Sequence, residues 1–417
     1  MTLKGPIARG TIRTSVVLGL RLAVQAGTLL LLAHLLGPSD FGVLAAVVAL
    51  ALLHGVMSTF GTQLSLLRDL SKNLSLRDQA LPLALGTTAL CGSLLFASYL
   101  AISFAWFEAA RVDPLATVCI GASEILLQPF VVIAAMERHA RGEVAKSQLL
   151  LSSPQMLRLA VCATIWWMGP EAPLRAYSIG HLVAVVLVLM AAVRSLPQAW
   201  PSLAGWRVPD RRQWRENAGY ALLSLSGTGP GELDKTLAVQ LLPAGQAGVY
   251  AAASRVVSAL VIPVTAAVLS AMPRLFRETG TTGTRLQAWL LAAAAGYGLM
   301  AALMVWHLSP LVDWLFGPEY AGIGRNVRWL AFALPGMALR FATMNILTTA
   351  NLPWTRIGIE ASGLALMGIL AVWGAKAHSQ SGFVVAVGIS EWSISILGLC
   401  ALLTMRGIAT DRNSTKA

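Results

Sequence analysis

Eleven ionisable side chains stand inside stretches that are otherwise apolar. The cations are Arg21, Arg158, Lys235, Arg255 and Arg340; the carboxylates are Glu124, Glu232, Asp234 and Glu391; the imidazoles are His54 and His181. An ionised group at bilayer depth costs roughly 2.5–3.5 kcal/mol even on lenient insertion scales, so such groups face a cavity or pair between helices. A cation excess in a cavity suits an anion, and a guanidinium fork grips a phosphate or diphosphate bidentately. Arg21, Arg158, Lys235, Arg255 and Arg340 are therefore the candidate substrate-binding residues. Asp234, Glu124 and Glu391 are the candidates for ion coupling, because a buried carboxylate can exchange a proton or hold a cation.

Each assignment has a plainer competitor. Glu124 and Arg158 fall on consecutive apolar segments and can form a purely structural pair. Glu391 has no evident partner in its neighbourhood, which leaves proton coupling and structure both open. His54 and His181 read as satisfied core histidines. Arg21, Arg255 and Arg340 lie about 6–8 Å from mid-span at the helical rise, close enough to an interface to snorkel.

The stretch Ser226-Gly227-Thr228-Gly229-Pro230-Gly231-Glu232-Leu233-Asp234-Lys235 is the densest in polar and breaking residues. Three glycines and a proline predict an interrupted helix here. A half-helix starting near Pro230 would aim its positive end into a cavity. Glu232 and Lys235, three residues apart, are placed to pair with each other, and Asp234 to point elsewhere.

Nothing in the chain suggests bond-making. The turns Gly37-Pro38-Ser39-Asp40-Phe41-Gly42 and Phe316-Gly317-Pro318-Glu319-Tyr320 resemble no phosphate loop. There is no nucleophile with a positioned base and no His/Cys metal spacing, so no enzyme activity, metal or cofactor is expected. Cys91, Cys119, Cys162 and Cys400 read as small apolar residues.

The elements that must hold these groups follow from hydropathy. The 417 residues are 56% hydrophobic and only 12% charged, with mean hydropathy +0.68. A soluble domain carries about 25% charged residues, so lipid is the solvent for most of this chain. Apolar runs predict about twelve transmembrane helices at 14–36, 42–65, 80–105, 115–136, 148–168, 176–194, 217–241, 248–272, 286–307, 324–347, 356–376 and 382–404. The run after Arg13 is too long for a signal-peptide core and no cleavage site follows. The net charge of +12 is dispersed between spans, which excludes a nucleic-acid face.

The connections alternate in charge. One side holds twenty-one Lys and Arg residues and the other only Arg111, Arg175 and Lys376. By the positive-inside rule both termini are cytoplasmic. The chain also repeats: Leu35-Leu36 and Gly42-Val43-Leu44-Ala45-Ala46 return as Leu241-Leu242 and Gly248-Val249-Tyr250-Ala251-Ala252, offset by 206 residues. Half the chain is six helices. The expected architecture is all-α integral membrane, two six-helix bundles around a central cavity: 1–194, a cytoplasmic linker 195–216, and 217–417.

The run Leu35–Gly42 after a first helix bearing Arg21 and Gln25, then Leu66-Leu67-Arg68, resembles the polysaccharide-transporter branch of the multidrug/oligosaccharidyl-lipid/polysaccharide exporter superfamily. Asp234-Lys235, Leu241-Leu242, Ala247–Arg255 and Leu315–Tyr320 carry the same resemblance through the second half. It implies a flippase that moves an undecaprenyl-diphosphate-linked oligosaccharide across the bacterial inner membrane by alternating access coupled to H⁺ or Na⁺. By analogy it also implies a glycan polymerase and a chain-length regulator as partners. Asp234 and Arg255 match the family most firmly. The competing expectations are a cation-coupled drug exporter of the same superfamily, disfavoured by the cation excess, and a membrane glycan polymerase or ligase. The latter is thinly supported by a loop at 308–323 carrying only Asp313 and Glu319.

Overall fold

The computed structural model describes residues 6–106, 113–277, 280–350 and 352–414, and the described residues contain helices and no strand. The chain divides into two compact units, 1–228 and 229–417.

The first unit begins with α1 (Pro6–Ser58), in which Gly37 alone leaves helical geometry at φ 66°, ψ 172°. The corner has a local cause: Gly tolerates positive φ, and Pro38 pushes the residue before it out of the α region. The helix after this corner is buried on every face from Phe41 to Ala51, apart from half-buried Val48. α2 (Thr62–Lys72), α3 (Arg77–Trp106) and α4 (Pro114–Gly121) follow. A π-helical segment (Ala122–Leu127) runs on into α5 (Gln128–Ala140), and α6 (Val144–Met168) and α7 (Pro173–Arg194) complete the set before the next connection. α1 packs on α3 and α6, and α6 on α5 and α7.

The connection at 195–210 is fastened to this unit. The Arg77 guanidinium donates to the carbonyls of Gln198 and Ala199, both at 3.1 Å, and to Glu137 at 2.6 Å. Arg138 binds Glu143 at 2.7 Å and the Ser195 carbonyl. Arg77 and Arg138 are thus largely buried. An irregular segment has backbone carbonyls to satisfy, and guanidinium groups supply the donors.

α8 (Arg211–Leu241) is one unbroken helix with Pro230 inside it, and the division between units falls within it. The predicted interruption at 226–231 is therefore absent. Membrane helices tolerate Pro and Gly when neighbouring groups cover the freed backbone; one turn further on, the Lys235 ammonium reaches back to the Gly231 carbonyl.

The second unit continues with α9 (Ala244–Ala259), α10 (Ile262–Arg277), α11 (Gly280–Phe316), α12 (Ile323–Ala331), α13 (Leu334–Thr349) and α14 (Pro353–Ser414). α13 packs on α10, α11 and α14. Gly374 and Gly382 touch backbone to backbone. Eight helical residues would separate them by about 12 Å, so the chain doubles back between them and α14 supplies two spans. The sequence repeat has a structural counterpart: Ala247–Ala253 is completely buried, as Phe41–Val47 is. A break then follows each, at 59–61 and at 260–261.

Nine helices among the described residues are long and apolar enough to cross a bilayer, or ten with the bent pair Ile323–Ala331 and Leu334–Thr349 as one span. The expectation of about twelve differs in two places. It divides Ala23–Ser58 in two, which the corner at Gly37 does. It also counts 217–241, where Glu232, Asp234 and Lys235 exceed what an apolar span carries.

Candidate functional site

In the first unit the charges converge on Glu124. The carboxylate sits in the π-helical segment, where the Gln128 amide reaches the Ser123 carbonyl across five residues. Such one-turn widenings are frequent at functional sites. Two glycines clamp the segment from neighbouring helices. A Cβ on Gly55 of α1 would collide with the Glu124 carbonyl oxygen, and one on Gly92 of α3 would lie 3.1 Å from that of Ile125. The backbone under the carboxylate is therefore fixed by close packing.

Arg158 on α6 donates to Glu124 Oε1 at 2.5 Å. His181 on α7 meets the same oxygen through Nε2 at 3.1 Å. Glu124 and His181 are sealed from the surface, whereas 16% of the Arg158 side chain remains accessible. Arg158 Nε and His181 Nδ1 are buried without a hydrogen-bond partner among the described residues. The Glu124–Arg158 pair considered from sequence forms. His181, expected as an ordinary core residue, joins it. His54 stays separate: its Nδ1 faces the Leu50 carbonyl at 2.9 Å.

In the second unit Asp234 is surrounded by donors. Oδ1 accepts the Lys235 amide at 2.8 Å and the Lys235 ammonium at 3.2 Å; Oδ2 accepts Tyr250 Oη at 2.5 Å and Ser254 Oγ at 3.1 Å. The expected Glu232–Lys235 pair forms, but only as a long ion pair at 3.9 Å; Lys235 lies closer to Asp234, at 3.2 Å, and Asp234 therefore does not point elsewhere as expected. Burial decides it, since Lys235 and Asp234 are about equally deep while Glu232 keeps 19% of its side chain accessible.

Arg340 on α13 donates to Glu391 on α14 at 2.6 Å, so Glu391 does have a partner, 51 residues away in sequence. Arg255 on α9 is half-buried and makes no hydrogen bond or ion pair to any described residue. Arg21 lies in α1, its side chain outside the described residues. Glu360, not singled out by sequence, is buried and takes Arg356 at 3.2 Å; its i,i+4 spacing was the readable signal. Cys91, Cys119 and Cys162 are buried as expected, but Cys400 faces outward.

Just before α4, Asp113 accepts from the Leu115 amide at 2.9 Å and from Arg175 at 2.8 Å. Partial burial opposes its ionisation, but Arg175 and the two helix-start amides outweigh that and hold the carboxyl below its ordinary range.

No group of three or more metal-ligating side chains occurs among the described residues.

The architecture has known counterparts. An inward-facing multidrug resistance MATE family transporter of the MOP superfamily aligns with TM-score 0.70 at 13% identity, covering 95% of this chain and 96% of its own. The lipid II flippase MurJ in an inward closed conformation aligns with TM-score 0.70 at 12% identity, covering 94% and 87%. A MOP superfamily transporter from Pyrococcus furiosus, described by the reverse polarity of its binding pocket, aligns with TM-score 0.67 at 12% identity and covers 95% of each chain. No curated protein sequence matches significantly. These similarities establish a shared fold. The family described as "Polysaccharide biosynthesis protein" matches residues 7–278, and the chain, a multi-pass membrane protein of transporter and flippase fold, belongs to that family.

Proposed function

We propose that this protein flips a polyprenyl-diphosphate-linked oligosaccharide, of the undecaprenyl type, across the bacterial inner membrane by ion-coupled alternating access, with both termini cytoplasmic. The observation that carries the reading is the state of the membrane-depth cations. Arg158, Lys235 and Arg340 each hold a carboxylate, whereas half-buried Arg255 has no partner among the described residues. A guanidinium kept at that depth without a counter-charge is costly unless an anion comes to it. A diphosphate is such an anion, and family membership supplies the glycan context. Arg255 is the primary substrate contact; Arg158, Lys235, Arg340 and Arg21 are further candidates. Glu124, Asp234 and Glu391 are the candidates for ion coupling, and no catalytic step is assigned to the chain.

In the Pyrococcus furiosus transporter of this fold, reversed polarity of the binding pocket suggests a different function. That favours reading the sign of the pocket charge as the discriminator between glycan lipids and cationic drugs. The test is gene deletion followed by analysis of lipid-linked repeat units on each face of the inner membrane. Units trapped on the cytoplasmic side, restored to the surface by wild type and not by Arg255→Ala at equal protein level, support the flippase. Normal surface glycan with altered drug sensitivity rejects it in favour of the exporter.

A further inference from the structure

We propose that Glu124, His181 and Arg158 form a proton-for-anion exchanger within the first unit: a proton taken up at His181 lets it hold Glu124 and frees Arg158 for the diphosphate of the cargo. The inference rests on the anionic-cargo reading above and names the residues through which that cargo would be linked to a proton.

The geometry is a contest for one atom. Arg158 and His181 both address Glu124 Oε1, at 2.5 Å and 3.1 Å. With the imidazole neutral, its Nε2–H donates to the carboxylate and the cluster carries one negative and one positive charge. The arriving proton goes to Nδ1, which is buried and without a partner among the described residues. The cluster then holds two cations against one carboxylate. Among the described residues, the charged groups at His181 are Glu124, at 3.1 Å, and Arg158, which shares the same carboxylate oxygen. The other titratable side chains around the cluster are Tyr177 on α7, Tyr99 on α3, Cys162 on α6, Cys119 on α4 and His54 on α1. None of them is an acid that ionises near neutrality, so the extra charge is balanced only by an anion from outside.

The members differ in where they can go. Glu124 is anchored by the glycine contacts on its π-helical backbone, and His181 is sealed. Arg158 is the one with accessible surface and an unpartnered buried Nε, so it is the group that can turn to an incoming diphosphate. Proton binding and anion binding then favour each other, and linkage makes the effect reciprocal, of order 5–150-fold. Gln128, four residues after Glu124, and Gln155, three residues before Arg158, have buried carbonyl oxygens without partners among the described residues.

The experiment counts protons. Full-length protein in nanodiscs is titrated with a short-chain polyprenyl diphosphate by calorimetry, in two buffers of different ionisation heat, across the neutral range. Wild type is expected to take up a proton on binding and to bind more weakly as pH rises. His181→Gln and Glu124→Gln should bind without that uptake; the difference from wild type cancels the probe's own ionisation. Uptake unchanged in either variant that binds, or wild-type binding without proton exchange, overturns the exchanger and leaves the cargo standing. A wild type that does not bind the probe rejects the anionic cargo and the exchanger with it.

Discussion

The two units solve the same problem, a carboxylate at membrane depth, in opposite ways. Asp234 in the second unit receives four donors spread over both oxygens, two of them hydroxyls from Tyr250 and Ser254. Glu124 in the first unit has a guanidinium and an imidazole crowding one oxygen. A carboxylate saturated by fixed donors keeps its charge and its geometry. A carboxylate oxygen shared by two donors can pass from one to the other, which is the kind of two-state element that switching requires. The comparison therefore assigns holding to the second unit's cluster and exchanging to the first unit's.

Breaking the saturated cluster should produce the largest effect. Asp234→Ala leaves the Lys235 ammonium, 2% accessible, with Glu232 at 3.9 Å as its nearest carboxylate. Removing one partner of a buried pair costs about 3–5 kcal/mol, read as a lowered unfolding midpoint in detergent. Glu124→Gln should cost less, because Arg158 retains access to solvent. Equal losses for the two would erase the distinction drawn between the units.

Gly55→Ala tests whether Glu124 is anchored through its backbone. The added methyl must displace the Glu124 carbonyl, and overpacking of this kind costs about 1–3 kcal/mol. Transport of a lipid-linked probe should fall further than stability alone explains, because the shift moves the contested oxygen. Normal transport by the Gly55→Ala protein would show that the π-helical segment is not a positioning device.

Glu391→Gln sharpens the comparison within the second unit. It removes the charge that Arg340 holds at 2.6 Å and keeps a hydrogen-bonding side chain of the same size. Hydrogen bonds to charged groups are worth about 1.5–3 kcal/mol; the retained amide and the 14% accessibility of Arg340 place the loss at the low end. Thermal unfolding checks it, and a loss matching that of Asp234→Ala would mean the two pairs are equally sealed.

Much of this molecule is legible from sequence, for reasons that also explain what is not. The spans follow from hydropathy because bilayer thickness imposes a length. Gly37-Pro38 is readable because Pro38 keeps the residue before it out of the α region and glycine alone accepts the positive φ there without strain. The Glu124–Arg158 pair is readable because consecutive helices are usually neighbours. The Arg340–Glu391 pair is not, since nothing local relates positions 51 apart. The π-helical widening at 122–127 leaves no composition signal, because Ala-Ser-Glu-Ile-Leu-Leu makes an ordinary α-helix; only the glycines facing it from α1 and α3 reveal the close packing. At 226–231 the local signal is strong and misleading. Backbone propensity predicts a break there, and Pro230 is nonetheless accommodated within a continuous helix.

The smallest effect concerns a carboxylate outside the membrane, and its sign is set by the direction of its shift. Asp113 is held below its ordinary range by Arg175 and the amides at the start of α4, so folding favours its ionised form. Its contribution is fully present above the unfolded value of about 3.9 and is lost as pH falls through the lower folded value. Asp113→Asn should therefore be less stable than wild type at neutral pH, and the gap should close on acidification below about pH 4. Salt should narrow the gap as well, because Arg175 is 55% accessible and exposed pairs are screened. Neither Glu124 nor Asp234 should show that salt dependence, since both are sealed. Unfolding midpoints measured against pH and ionic strength check all three, and a salt-sensitive midpoint for Asp234→Asn would place its cluster in contact with water.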